Sequence, residues 1–147
     1  HCFSTASDTE VLVHLYEEEG ELFPRRLRGM FAFALWDRKK RRLLLGRDHF
    51  GIKPLFWGIF GGNLLFASEI KAIRLHPAFE RRVDPEALDD FLTLLFVPTP
   101  KTIYQGLKKL DAGTVLSVEP AREPRLARYW DAAERMREGG LHRLGNL

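Results

Sequence analysis

Residues 30–36 read Met-Phe-Ala-Phe-Ala-Leu-Trp, and this stretch decides the class of fold. Its side chains are apolar at odd and even positions alike, which is typical of a β-strand that is covered on both faces. A strand of this kind needs a layer of structure on each side of its sheet. The stretch therefore predicts a layered fold.

Three further strands are predicted directly after this stretch. Residues 43–47, 55–60 and 64–68 are apolar runs of strand length, and Gly61-Gly62-Asn63 supplies a turn between the last two. Short turns join antiparallel neighbours. The four strands are therefore expected to form one antiparallel meander.

Helices are predicted before the strands. Ser7-Asp8-Thr9-Glu10 is a capping box, in which Ser7 accepts a hydrogen bond from the backbone near Glu10 while the Glu10 side chain reaches back. A helix follows from Asp8 and ends at Gly20, and a short second helix is predicted over residues 21–28.

The second half of the chain carries a third helix, a linker and a final pair of strands. Asp84 caps the helix and Pro85 occupies its first position; the predicted buried stripe consists of Leu88, Phe91, Leu92 and Leu95. Pro98-Thr99-Pro100 cannot continue a helix and predicts an extended linker. The final strands are expected at residues 114–118 and 126–130.

The composition is that of an ordinary globular chain. Its 147 residues are 45% hydrophobic and 29% charged, which is enough apolar material to fill a core and enough charge to cover it. No apolar run approaches the roughly 20 residues that a bilayer span requires. Cys2 is the only cysteine, so no internal disulfide can form, and a cytoplasmic location is expected.

The net charge of +3 is small, because 23 basic residues are set against 20 acidic ones. The densest basic run, residues 38–42, lies between two apolar stretches, where a hairpin turn would place it in water. No aromatic residue interleaves the run to stack on bases, so neither a nucleic-acid nor a membrane partner is predicted. A basic RNA-binding module is the alternative.

The residues alone assemble no catalytic or metal site. Cys2 has no neighbouring base to activate it, and the five histidines lack the short spacing of zinc ligands. Asp8, in the first turn of a helix, serves either to compensate the helix dipole or as a fixed anion for an ammonium ligand. The loop formed by Arg47, Asp48, Gly51, Lys53 and Pro54 holds either an internal ion pair or a functional site, and Ser68-Glu69 carries the same two interpretations.

Six segments resemble glutamine-dependent asparagine synthetases and occur in the order in which that family carries them. They span residues 3–131: SDTEVLVHLYEEEG at 7–20, RLRGMFAFALWD at 26–37, LLGRDHFGIKPLFW at 44–57, and three others at 64–73, 84–116 and 128–131. The resemblance implies an α+β chain, mostly antiparallel, that forms part of the αββα sandwich of N-terminal-nucleophile hydrolases and continues into a helical and extended connector.

The resemblance also implies what the parent enzyme does. Its glutaminase domain releases ammonia from glutamine, and its synthetase domain uses Mg-ATP and aspartate to form β-aspartyl-AMP, which ammonia converts to asparagine. Asp8 matches the aspartate that holds the α-ammonium group of glutamine, and Met30 matches a methionine of the ammonia channel. Arg47, Asp48, Gly51, Lys53 and Pro54 match a loop that supports the site without taking part in a chemical step.

Three family features have no counterpart in the sequence: the cysteine nucleophile, the glutamine clamp with its oxyanion hole, and the pyrophosphate loop. We therefore expect an inactive fragment, with no catalytic or metal-binding residue and no bound cofactor. It is expected to divide into a half-glutaminase domain at 1–77, a connector at 78–131 and a disordered or non-family tail at 132–147.

The expected partners are glutamine at a partial site, the missing half-domain, the synthetase domain and, in the parent, a second subunit. An unpaired strand edge and a bare apolar face should result, with self-association or marginal stability. Two alternatives stay open: a non-catalytic half-domain that pairs with another chain, and a fragment of a related amidotransferase such as a β-lactam synthetase.

Overall fold

The computed structural model describes residues 2–137. The chain divides into two compact units, one made of residues up to Phe50 together with those from Ala112 onward, and the other made of Gly51–Asp111. This division differs from the predicted boundary at residue 77. It arises because the chain returns to the first unit after residue 111 and adds its last two strands there.

The first unit contains one long helix, a 3-10 helix and a four-stranded sheet. The elements are α1 (Asp8–Glu19), the 3-10 helix (Gly20–Arg26), β1 (Ala32–Asp37), β2 (Arg42–Arg47), β6 (Thr114–Val118) and β7 (Arg125–Arg128). The sheet is antiparallel throughout, with the strand order β1-β2-β6-β7. The sequence predicted a disordered or non-family tail at 132–147. Residues 132–137 are helical in the structure, and residues 138–147 lie outside the described part.

The second unit contains a smaller sheet and two helices. Its elements are β3 (Phe56–Phe60), β4 (Asn63–Ala67), α2 (Ile70–Ile73), α3 (Pro85–Leu94) and β5 (Lys108–Lys109). The strand order is β4-β3-β5, again antiparallel. The predicted four-strand meander is therefore wrong: β1 and β2 belong to one sheet and β3 and β4 to another, because β2 takes β6 as its second neighbour.

One hydrophobic core of the first unit lies on the face of the sheet that α1 covers. Phe23, Phe33, Leu44, Val115 and Tyr129 are buried there, and the partly buried side chains of α1 that pack against them include Leu12, Leu15 and Tyr16. In the register, Gly46 lies opposite Phe33, and a Cβ atom at position 46 would approach the Phe33 ring to 2.2 Å. The missing side chain of Gly46 therefore makes room for a core aromatic ring.

Helix α3 begins as predicted, but the prediction for its apolar stripe is wrong. The Asp84 carboxylate accepts a hydrogen bond from the Glu86 backbone N–H at 3.0 Å, and Pro85 occupies the first turn. The stripe is exposed by 42% at Leu88, 45% at Phe91, 69% at Leu92 and 80% at Leu95. Ala87 is the buried residue of the helix, so α3 rests on a small contact and leaves its large apolar side chains in water.

The core of the second unit is built from Phe60, Ile73, Phe79 and Leu107. The Phe79 ring packs against Phe60 and Tyr104 with centroid separations of 4.9 and 5.4 Å. Among the described residues, no helix is both long enough and apolar enough to cross a membrane.

Candidate functional site

Asp8 and Met30 line one open cleft in the first unit. The cleft measures about 570 Å³ and lies between the first turns of α1 and the chain that leads from Arg26 into β1. Its other lining residues include Leu12, Arg28 and Phe31. The two residues that the sequence assigned to ligand binding and to the ammonia channel therefore share a cavity, although most of α1 and the 3-10 helix separate them along the chain.

Asp8 stands at the positive end of α1 with its carboxylate accessible. Ser7 caps the helix, because its side chain accepts a hydrogen bond from the Thr9 backbone N–H at 3.2 Å. Ser7 thus caps the helix, and Asp8 adds a negative charge in the first turn, where the helix dipole is positive. Its Oδ1 accepts a long hydrogen bond from the Thr9 hydroxyl at 3.4 Å, and no other hydrogen bond to its side chain comes from residues 2–137. The carboxylate therefore retains acceptor sites for a ligand.

Glu10 fixes the segment that precedes Asp8. Its carboxylate accepts hydrogen bonds from the backbone N–H groups of Ser4 and Thr5 at 2.7 and 2.8 Å, and from both hydroxyl groups of those residues. These donors, the Thr5 hydroxyl first among them, lower the pKa of Glu10 to about 2. The predicted capping box is thus wrong in its return bond, since Glu10 reaches past Ser7 to a loop that it holds against the helix.

The opposite wall of the cleft is apolar with a basic margin. Met30 is 63% exposed, and the adjacent Phe31 ring packs against Phe33 and His49. Arg26 and Arg28 supply the positive charge, and Arg26 forms an ion pair with Glu19 at 3.2 Å. The cleft thus combines one accessible anion, a thioether wall and guanidinium groups.

Arg47 and Asp48 support this wall from the end of β2. The Asp48 backbone N–H donates to the Phe31 carbonyl at 2.9 Å, and the Asp48 carbonyl accepts from the Gly113 N–H at 2.9 Å. The Asp48 side chain is 1% exposed, and its carboxylate accepts from the Phe50 N–H at 3.2 Å. These bonds anchor the residue that follows Met30, so Asp48 acts on the cleft through Phe31.

Tyr129 completes this support and was not identified from the sequence. It is buried, and its hydroxyl donates to the Arg47 carbonyl at 2.8 Å. Burial, with the Asp48 carboxylate nearby, raises the pKa of the Tyr129 hydroxyl above its ordinary value. The available signal was its position in the matched segment at 128–131, but only the fold brings that segment to the end of β2.

The remaining members of the supporting loop, Gly51, Lys53 and Pro54, belong to the second unit. Gly51 has a φ of 66°, a conformation that favours glycine. The structure therefore distributes the predicted loop over both units, and Arg47 and Asp48 are the members that belong to the unit with the cleft.

The other candidates from the sequence form no reactive cluster in the described part. Cys2 is exposed with a free thiol. Glu69, which precedes α2, forms an exposed ion pair with Lys71 at 2.5 Å. Within residues 2–137 there is no group of three or more histidine, cysteine, aspartate or glutamate residues that could hold a metal ion.

Comparison with known proteins finds sequences similar to this chain. Residues 1–130 match a family model described as a glutamine amidotransferase domain. Over 136 residues the chain is 42% identical to glutamine-hydrolysing asparagine synthetase 2 of Bacillus subtilis, and over 75 residues it is 51% identical to asparagine synthetase 3 of Arabidopsis thaliana. These matches cover 88% and 50% of this chain but 18% and 13% of the two relatives.

A solved structure shares the fold. Glutamine phosphoribosylpyrophosphate amidotransferase from Bacillus subtilis superimposes with a TM-score of 0.61 at 21% identity, over 88% of this chain and 24% of that one. The α+β architecture with antiparallel sheets, predicted as an N-terminal-nucleophile hydrolase fold, is thereby confirmed. The match to the family model also extends beyond residue 77, so the segment predicted as a connector lies inside the matched region.

Proposed function

Because the chain belongs to the glutamine amidotransferase domain family, we propose that it forms the part of an asparagine synthetase that binds the amino-acid end of glutamine and borders the route taken by ammonia. The observation that carries the proposal is that Asp8 and Met30 line the same cleft. The similarity to asparagine synthetases supports the choice among amidotransferases.

In this proposal Asp8 holds the α-ammonium group of glutamine. A carboxylate that keeps free acceptor sites binds an ammonium group by charge-assisted hydrogen bonds, which are stronger than neutral ones. Glu10 holds the adjoining loop in place through hydrogen bonds from the backbone of Ser4 and Thr5. Binding and orientation are the contributions of Asp8, and no proton transfer is assigned to it.

Met30 lines the path along which ammonia leaves. A thioether is a weak acceptor on a flexible side chain, so it excludes water while offering ammonia little to bind. Phe31 extends the apolar wall, and Arg47 and Asp48 keep it in position through the hydrogen bond between the Asp48 N–H and the Phe31 carbonyl.

The whole enzyme is proposed to convert ATP, aspartate and glutamine to asparagine, glutamate, AMP and pyrophosphate. The proposal assigns Mg-ATP to the synthetase domain of that enzyme. Its binding, a dimeric state of the enzyme and a cytoplasmic location belong to the proposal for the complete protein, of whose relatives this chain covers about a fifth.

The exposed stripe of α3 supports a contact with the rest of such an enzyme. Leu88, Phe91, Leu92 and Leu95 form an apolar surface that a monomer of this size ordinarily covers. We assign this surface to the synthetase domain. Two other functions compete with this proposal. The chain could be a non-catalytic half-domain that pairs with another chain, or a fragment of a β-lactam-forming relative.

A chimeric enzyme tests the proposal. Residues 1–130 replace the matching segment of the Bacillus subtilis relative, and the chimera is expected to make asparagine from glutamine. Asp8→Asn should raise the KM for glutamine by at least about tenfold, the cost of one charge-assisted hydrogen bond, with little effect when ammonia is supplied directly. Glu123→Gln, at an exposed position outside the cleft and outside α3, is the control.

Two results would count against the proposal. One is a chimera that uses ammonia but not glutamine, and the other is an unchanged KM for glutamine in Asp8→Asn. The 147-residue polypeptide alone is expected to release no glutamate from glutamine, because Cys2 is exposed and contacts no base among the described residues.

A further inference from the structure

The apolar wall of the Asp8 cleft is tied to a segment that comes much later in the chain. Tyr129 follows β7 directly, and its hydroxyl donates to the Arg47 carbonyl although 82 positions separate the two residues. The paired register of β2 with β6 ends at Gly46↔Val115, so the Arg47 carbonyl lies just beyond it. The Tyr129 hydroxyl therefore holds the backbone of β2 at the point where strand pairing stops.

A second connection to the wall runs through Gly113. Its N–H donates to the Asp48 carbonyl, and its own carbonyl accepts from the Tyr129 N–H at 2.7 Å and from the Trp130 N–H at 3.2 Å. Gly113 has a φ of 61°, and a Cβ atom there would approach the Trp130 carbonyl oxygen to 2.3 Å, so this turn requires glycine. The backbone of Tyr129 is thus linked through Gly113 to Asp48, and Asp48 donates to the Phe31 carbonyl.

A third connection is made by aromatic rings. The His49 ring packs edge-on against Phe31, Tyr129 and Trp130, with centroid separations of 6.2, 5.4 and 5.3 Å. Edge-to-face pairs at these distances are favourable beyond the apolar area that they bury. His49 therefore carries the position of the Tyr129 ring to Phe31, which lies in the cleft wall.

The ring and the hydroxyl of Tyr129 make separate contacts. The ring belongs to the hydrophobic core with Phe23, Phe33 and Leu44, whereas the hydroxyl donates to Arg47. Burial, together with the Asp48 carboxylate, raises the pKa of the hydroxyl, so it remains protonated and able to donate. Removing the oxygen atom alone should therefore leave the core filled and release the end of β2.

Tyr129 acts on the cleft only through other residues. Among the described residues, those that line the cleft include Met30 and Phe31 but not Tyr129. All three connections end at Phe31 or at its hydrogen-bonding partner Asp48, and Phe31 directly follows Met30 in the chain. The setting of the thioether wall consequently depends on a residue that contacts neither the wall nor a ligand.

We propose that Tyr129 is a positioning residue for the ammonia route, because its hydroxyl, the Gly113 turn and the His49 ring together hold Phe31 and Met30 in the arrangement that retains ammonia. This inference rests on the function proposed above. Loss of the Tyr129 hydroxyl should let ammonia escape to the solvent and should leave the binding of glutamine unchanged.

The chimeric enzyme described above tests the inference. The measured quantity is the ratio of asparagine to glutamate formed from glutamine, which does not depend on the folded fraction because the same active molecules make both products. Tyr129→Phe should lower this ratio at least about twofold, since one neutral hydrogen bond shifts a local equilibrium roughly fivefold. The KM for glutamine and the rate with ammonia supplied directly should stay unchanged.

Tyr16→Phe is the matched control. The Tyr16 hydroxyl also donates one hydrogen bond within the first unit, to Asp37 at 2.7 Å, but at the opposite end of β1 from Phe31. The ratio of asparagine to glutamate should therefore stay at the wild-type value in Tyr16→Phe.

Two variants of His49 test the ring contacts. His49→Phe keeps an aromatic ring between Phe31 and Tyr129 and should retain the wild-type ratio. His49→Ala removes the ring and should lower the ratio. Hydrogen exchange of the Asp48 amide, followed by mass spectrometry on the chimera, should be several-fold faster in Tyr129→Phe and unchanged in Tyr16→Phe.

Met30→Asp separates failure of this inference from failure of the proposed function, because it places a charge directly in the cleft. A ratio that falls in Met30→Asp but not in Tyr129→Phe would overturn the inference and leave the proposed function standing. A ratio unchanged in both variants would remove the ammonia route from this cleft and overturn both. An equal fall in Tyr16→Phe, or a raised KM for glutamine with an intact ratio in Tyr129→Phe, would also overturn the assignment to Tyr129.

Discussion

At the scale of single residues, the Asp8 and Glu10 carboxylates of α1 differ in their hydrogen bonding. Asp8 keeps open acceptor sites in the cleft, whereas Glu10 is saturated by four donors from Ser4 and Thr5. Glu10 was expected to cap its own helix, and it instead ties down the loop that leads to Asp8. The loop that leads to Asp8 is therefore held by a neighbour two residues further along the helix.

The lowered pKa of Glu10 makes a prediction about acid stability. Its pKa falls from 4.5 to about 2 in the folded state, so the stabilisation is present above pH 4.5 and is lost as the pH falls towards 2. In Glu10→Gln the unfolding temperature should be lower than in the wild type at neutral pH, and the difference should shrink below pH 4.5 and disappear as the pH reaches about 2. Thermal unfolding followed by circular dichroism measures this.

Glu123→Gln is the control for that experiment. Glu123 is exposed and forms no described hydrogen bond or ion pair. Its unfolding temperature should match the wild type at every pH. Parallel curves for Glu10→Gln and the wild type from pH 7 to pH 2 would show that the contacts between Glu10 and the loop do not stabilise the fold.

A second prediction concerns Gly46. Alanine at this position would place a Cβ atom 2.2 Å from the Phe33 ring, which is far inside van der Waals contact. Gly46→Ala should lower the free energy of unfolding by about 1–3 kcal/mol, the usual cost of overpacking a core. Combining it with Phe33→Leu should recover part of the loss, because the smaller side chain vacates the space. Urea denaturation provides both values, and additive losses would argue against the contact.

At the scale of elements, helix α3 shows where sequence patterns mislead. The start of the helix at Asp84 and Pro85 was predicted correctly, because capping is a local interaction. The apolar stripe predicted burial, but periodicity cannot say whether the covering surface is present in the same polypeptide. The apolar run at residues 30–36 predicted a strand covered on both faces. In the structure Phe33 is buried on one face, whereas Trp36 on the other face is 53% exposed.

The exposed stripe of α3 predicts that polar substitutions there cost no stability. Leu92→Gln with Leu95→Gln should change the free energy of unfolding by less than about 0.5 kcal/mol, because both side chains are already in water. The same pair should reduce concentration-dependent self-association, measured by sedimentation velocity. Ala87→Gln, at the buried contact of α3, is the contrasting variant and should destabilise the protein. A large loss of stability in the leucine pair would show that the stripe is buried in solution.

At the scale of the whole molecule, the sequence predicted the fold class but not the topology. Antiparallel pairing between close neighbours, such as β1 with β2 and β3 with β4, followed from turn residues. The pairing of β2 with β6 joins segments far apart in the chain, and no local signal marks it. The family resemblance identified Asp8 and Met30, but their meeting in one cleft, and the support from Tyr129, needed the structure.

The central claim is that Asp8 binds the ammonium group of glutamine. The most direct measurement compares glutamine with glutaramate, the analogue that lacks the α-amino group, as substrates of the chimeric enzyme. We predict that the chimeric enzyme with Asp8 prefers glutamine over glutaramate by at least about a hundredfold in kcat/KM. The Asp8→Asn variant should lose most of this preference. An undiminished preference in Asp8→Asn would contradict the account.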